Sequence, residues 1–142
     1  MKVVVDWAGG MRFVGGTEAG QGLVMEGSAL DGPRIGASPM EVVLIGMGGC
    51  ASFDVVHILR KMRLVFEVVH CELEAERAPT QPRVFVKVHM VFTVTGNVPQ
   101  NKADEAVRLS VEKYCSASAM IEKTAQITWE ARVRPAGDAK AA

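Results

Sequence analysis

The sequence predicts an α+β fold, and three observations carry that reading. Short glycine-punctuated apolar runs fill the first 26 residues, a long apolar stretch follows Pro39, and "EVVHCELEAER" and "RVFVKVHMVFTVTG" alternate with period two. The resulting order is three strands, a long helix, two strands, two helices and a last strand. At 142 residues the chain suits one domain, since a domain of roughly this size buries about two-thirds of the surface its unfolded form exposes. We expect that domain over residues 1–134 and a disordered tail, "PAGDAKAA", over residues 135–142.

Each element has a local cause. "KVVVDW", "MRFVG" and "GLVME" read as a meander with turns at Gly9–Gly10 and from Gly15 through Gly22. "GSALDGPRIGASP" is a loop that ends on a helix start, where Ser38 can cap and Pro39 takes the first helical position with no amide hydrogen to leave unpaired. From Pro39 to about Met62 the breakers are Gly46, Gly48 and Gly49, and the run stays apolar to Asp54. A helix apolar on all sides needs protein around it, so this is a central helix about 36 Å long. Its glycines cost up to about 1 kcal/mol each, which marks them as points where another backbone approaches.

In the first long strand Cys71 shares the inward face with Leu73 and Ala75, while His70, Glu72, Glu74 and Glu76 share the other. In the second, Val84, Val86, Val88, Met90, Phe92 and Val94 form one apolar face, and His89 lies opposite with Lys87. A helix from Pro99 or Asn101 to Tyr114 carries its apolar stripe on Ala103, Ala106, Val107, Ser110, Val111 and Tyr114. Ser116 and Ser118 can cap a second, short helix, and "AQITWEARVR" closes with an alternating strand.

The 16 basic and 16 acidic side chains cancel, with no long like-charge run, which argues against nucleic acid and anionic membranes as partners. Asp6 arrives before a signal-like run develops, and twelve uncharged residues between Glu41 and Asp54 fall short of a membrane span. A cytoplasmic location is expected. One 142-residue chain cannot cover every side of the central helix, so a homodimer is expected to cover the rest.

Three cysteines with no C-x-x-C pattern exclude an obvious disulfide framework or zinc knuckle. Unpaired thiols in a reducing compartment are buried hydrophobes or reactive groups, and composition and spacing alone favour buried packing over reactive chemistry for Cys50 and Cys115. Cys50 follows a glycine pair that admits close approach. Cys115 lies at a helix junction whose amide hydrogens can lower a thiol's pKa. Asp54, four residues after Cys50, places a carboxylate near that thiol, which raises a thiol's pKa unless a cation such as Arg12, Arg34 or Arg60 offsets it. His57 sits about 10 Å along the helix from Cys50, too far for an ordinary Cys–His pair. His70 and His89 are placed to face each other across the hairpin, but without an i, i+4 histidine pair no metal site is expected.

"SPMEVVLIGMGGCASFDVV", with a proline eleven residues before a helix-borne cysteine, and "AVRLSVEKYCSASAMIEKTAQITWE" downstream resemble the OsmC/Ohr family of osmotically induced and organic hydroperoxide resistance proteins. The resemblance spans Val3 to Val133 and is closest to the YhfA-like branch of OsmC-like proteins. It implies an OsmC-like fold, an intertwined homodimer with long central helices packed between antiparallel sheets. It further implies a thiol peroxidase that needs no metal or other cofactor and acts on organic hydroperoxides. Cys50 would then attack the peroxide to form a sulfenic acid, and Cys115 would resolve it as a disulfide that a dithiol reductant, small molecule or lipoyl-type protein, reopens. The family's thiolate-holding pair falls here on Arg34, with Arg12 the alternative, and on Glu41, because Met40 follows Pro39 directly. Cys71 has no role in the pattern. A non-catalytic ligand-binding or redox-sensing protein on the same scaffold is the alternative that Met40 motivates.

Overall fold

The computed structural model describes residues 1–27 and 33–138. The chain divides into two compact units, Met1–Ile45 and Gly46–Ala142. Residues 28–32 of the expected loop and residues 139–142 of the expected tail lie outside the described residues.

The first unit holds an antiparallel meander of β1 (Val3–Trp7), β2 (Arg12–Thr17) and β3 (Gly22–Glu26). Its first turn uses Gly9 at φ 94° and Gly10 at φ 54°, a left-handed pair that side-chain-bearing residues resist. β2 continues through Gly15 to Thr17, so the second turn is shorter than expected and closes where the Thr17 amide donates to the Gln21 carbonyl at 2.8 Å. The register sets Arg12 opposite Glu26, and the pair closes at 2.6 Å. Glu26 also accepts from the amides of Ile35 and Gly36, which ties the loop before the long helix to β3.

The long helix, α1 (Pro39–Lys61), begins with a capping box. The Ser38 amide donates to Glu41 Oε2 at 2.6 Å, and the Glu41 amide donates to Ser38 Oγ at 3.3 Å. Two of the first-turn donors are thereby satisfied. By length and composition alone this helix could cross a membrane. Its buried stripe of Met47, Gly48, Ala51, Val55 and Leu59, spaced for one helix face, identifies it instead as a core element of the second unit.

That unit contains β4 (Val65–Arg77), β5 (Phe85–Asn97), α2 (Gln100–Leu109), a π-helical turn (Ser110–Tyr114), α3 (Ser116–Ile121) and β6 (Gln126–Arg134). β4 and β5 pair antiparallel, whereas β6 pairs parallel to β5, so this second sheet is mixed rather than antiparallel throughout. The reason is the helical crossover between β5 and β6, which returns the chain to the starting end of the sheet. Val88, Met90, Phe92 and Val94 are buried as their alternation requires, while Val84 and Val86 at the start of that face are half-buried; Ala103, Ala106 and Val107 of α2 are buried as well. Residues 135–138 make a turn in which the Gly137 amide donates to Glu67 at 3.0 Å.

One expectation is met here and one changes. α1 is not covered on all sides within one chain: Gly46, Gly49, Phe53, His57 and Arg60 form an exposed stripe, because the packed sheet meets only one helix face. Tyr114 leaves the predicted stripe and is half-exposed. The Cys115 amide donates to the Ser110 carbonyl at 2.8 Å, five residues back. The wider turn rotates Tyr114 outward and turns Cys115 into the core, 2% exposed.

Candidate thiol site

Gly48 lets α1 sit close to the sheet, since a Cβ there would lie 2.6 Å from Leu73 Cδ1. Gly46 and Gly49 have open space around them. The glycine that permits close approach therefore faces a leucine side chain, not another backbone.

With α1 seated, the π-turn anchors to it. Ser110 Oγ donates to the Ala51 carbonyl at 2.9 Å, and the Cys115 thiol approaches the Met47 carbonyl at 4.0 Å. Cys115 is held from its other side by the Ser118 amide, which donates to Sγ at 3.4 Å. Cys50 and Asp54 lie one helical turn apart on α1 beside this contact. The sulfurs of Cys50 and Cys115 and a carboxylate oxygen of Asp54 all lie within 4.8 Å of one another. All three cysteines are free.

Burial pushes the Cys115 thiol pKa up; the hydroxyl and amide of Ser118 pull against that rise, and the neighbouring Cys50 adds to it. The Ser118 hydroxyl is itself buried and has no hydrogen-bond partner among the described residues. Burial also raises the Asp54 carboxyl, with His57 acting the other way.

Cys71 is half-buried on the inner face of β4, as its alternation predicts. Its thiol is pushed up to about 11, mainly by burial, with Ser52 opposing and Glu72 and Cys115 contributing. Arg34 and Glu41 lie in the first unit, where the guanidinium meets the carboxylate in two bonds of 3.1 and 3.2 Å. Arg12 is taken by Glu26. The Ser38 amide and hydroxyl, together with Arg34, lower Glu41 to about 2.

The histidines stand apart from the thiols. His70 does not face His89: the register puts His70 opposite Thr93 and His89 opposite Glu74. His89 Nδ1 instead meets Thr128 Oγ1 of the parallel strand at 2.7 Å. Sequence reasoning missed Ser110 and Ser118 as site residues. The one local signal was a small polar residue on an otherwise apolar helix stripe.

An α+β chain that brings two thiols from distant elements together beside a carboxylate is, as a class, a dithiol protein. The family profile described as OsmC-like protein matches residues 31–130. Protein YhfA of Escherichia coli K12 is 42% identical over 131 residues, covering 90% of this chain and 94% of the relative. The chain belongs to the OsmC-like family. A hypothetical protein from Aquifex aeolicus VF5 superposes with a TM-score of 0.79 at 27% identity, covering 94% of this chain and 96% of the other. An organic hydroperoxide resistance protein OsmC from Legionella pneumophila shares the fold with a TM-score of 0.71 at 20% identity, covering 94% and 98%.

Proposed function

We propose that this chain is a thiol-dependent peroxidase that reduces organic hydroperoxides in oxidative or osmotic stress defence. The observation that carries the reading is the meeting of Cys50 and Cys115, 65 positions apart in sequence, within 4.8 Å beside Asp54. The Cys50 thiolate attacks a peroxide oxygen, the O–O bond breaks, an alkoxide leaves and takes a proton, and Cys50 becomes a sulfenic acid. Cys115 then displaces the hydroxyl as water to form the Cys50–Cys115 disulfide, and a dithiol reductant, small or lipoyl-type, restores both thiols. Family membership, and a structural relative named for organic hydroperoxide resistance, support this chemistry over inert packing.

On the family resemblance we assign Arg34 and Glu41, which meet in two bonds within the first unit, as the thiolate-holding pair. The exposed stripe of Gly46, Gly49 and Phe53 supports a homodimer that covers the open face of α1. Residues 1–134 act as one functional domain in this reading. The free thiols suit a reducing, cytoplasmic compartment.

The test is one equivalent of cumene hydroperoxide on reduced protein, followed by peptide mapping and peroxide assay. A Cys50–Cys115 link, with consumption lost in Cys50→Ser, is expected. No link, and consumption equal to that of Cys50→Ser, overturns the proposal.

A further inference from the structure

We propose that Asp54 is the acid–base group of the resolving step, moving one proton from the Cys115 thiol to the oxygen that leaves Cys50. This rests on the peroxidase reading above and adds a residue to it.

The geometry sets the problem and supplies one answer. Cys115 is buried, so its thiolate is costly to form without a base at hand. The groups in contact with it cannot serve: the Ser118 amide is a donor, and the Met47 carbonyl is too weak a base to take a proton. Among the described residues, Asp54 is the one carboxylate placed within 4.8 Å of both sulfurs. Its spacing of four residues from Cys50 fixes it on the same face of α1, so a short side-chain rotation or one bridging water brings its carboxylate within hydrogen-bond reach of either sulfur. The titratable groups around it are Cys50 and His57 on its own helix and Cys115 after the π-turn, with Cys115 in turn acting on Cys71 of β4. Partial burial lifts the Asp54 carboxyl and makes it a stronger base than a solvated aspartate, closer to a thiol in proton affinity.

The step balances without another reactant. Asp54 carboxylate takes the proton from Cys115 Sγ as that sulfur attacks Cys50 Sγ. The S–S bond forms, the S–O bond of the sulfenic acid breaks, and the departing hydroxide takes the proton back from Asp54 and leaves as water. Asp54 ends as the carboxylate it began as. Cys50 is reduced from the sulfenic level and Cys115 is oxidised to the disulfide.

Rapid-quench experiments with cumene hydroperoxide separate the two steps: a dimedone adduct reports the sulfenic acid, and non-reducing mass analysis reports the disulfide. Asp54→Asn is expected to form sulfenic acid within about threefold of the wild-type rate but to resolve it on the order of 100-fold more slowly, the scale of general acid–base catalysis. Asp54→Glu should recover part of that loss. The wild-type resolving rate should also rise with pH through a carboxyl-like titration that Asp54→Asn lacks. If Asp54→Asn resolves as fast as wild type, or slows both steps equally, the proposal is overturned while the peroxidase reading stands. If the wild-type protein makes no Cys50–Cys115 disulfide, both fall. Should Asp54→Asn fail to fold, the pH profile of the wild type decides: a resolving rate without a carboxyl-like titration overturns the proposal.

Discussion

Ser110 of the π-turn reaches α1 and donates its hydroxyl proton to the Ala51 carbonyl at 2.9 Å. Ala51 follows Cys50 directly, and Ser110 precedes Cys115 by five residues across the i→i−5 bond of the turn. One buried hydrogen bond thus couples the segments that carry the two thiols. Because Ser110 is fully buried, removing the hydroxyl leaves the Ala51 carbonyl without that donor. Ser110→Ala should cost about 1–2 kcal/mol and lower the thermal midpoint by roughly 2–6 °C, read by calorimetry. An unchanged midpoint would show that the bond contributes little.

Gly48 and Gly46 should respond in opposite directions. Ala at 48 would drive a Cβ to 2.6 Å from Leu73 Cδ1, and crowding of this kind typically costs about 1–3 kcal/mol, more than the ~1 kcal/mol that alanine gains over glycine in a helix. Gly48→Ala should therefore destabilise in urea titration, and adding Leu73→Ala should make the glycine change far less harmful. Gly46 meets nothing within 4 Å, so Gly46→Ala should raise the stability of the isolated chain by about 0.5–1 kcal/mol.

Phe53 is 77% exposed in the middle of α1. If a second copy covers that face, Phe53→Glu buries a charge in the interface and should yield a monomer in analytical ultracentrifugation at concentrations where the wild type is a dimer. A wild-type monomer under the same conditions would remove the case for association.

Glu41 gives a pH signature at the start of α1. Its folded pKa of about 2 lies below the ordinary 4.5, so its contribution is complete above about pH 4.5 and fades as the pH falls towards 2. Glu41→Gln should be less stable than wild type near neutrality, and the difference should shrink through that window. A difference independent of pH would assign the effect to shape and not to charge.

Cys71 gives a labelling signature of its own. Cys71, pushed up to about 11 mainly by burial, should resist iodoacetamide at pH 8 and react only as the pH approaches that value, because the thiolate is the nucleophile. Peptide mapping across a pH series reads this directly. Fast labelling of Cys71 at pH 8 would contradict its inward placement.

The features that were legible in the sequence are those whose causes lie within a few residues. The alternation from Val84 to Val94 marked a strand face that is buried from Val88 onward, and Ser38–Pro39 marked the start of α1, whereas the capping-box role of Glu41 came with the structure. Cys71 pointed inward by the same period. The choice of Arg34 over Arg12 was an assignment from resemblance, and the ion pairs that separate them come from strand register and loop path.

The rest depends on how distant segments close on one another. A single extra residue in the turn after α2 decides whether Tyr114 or Cys115 faces the core, and the pattern of apolar residues does not encode that slip because both can occupy an apolar site. The sequence placed the long strands and the helical crossover, but pairing partners decided that β6 runs parallel to β5 and that His70 and His89 are not opposed. By itself the sequence determined the elements, the fold class and, through family resemblance, which thiols to watch. Only the tertiary structure brought Cys50, Asp54 and Cys115 to one place, because contacts between residues far apart in the chain arise from the packing of α1 on the sheet and of the π-turn on α1, not from local propensity.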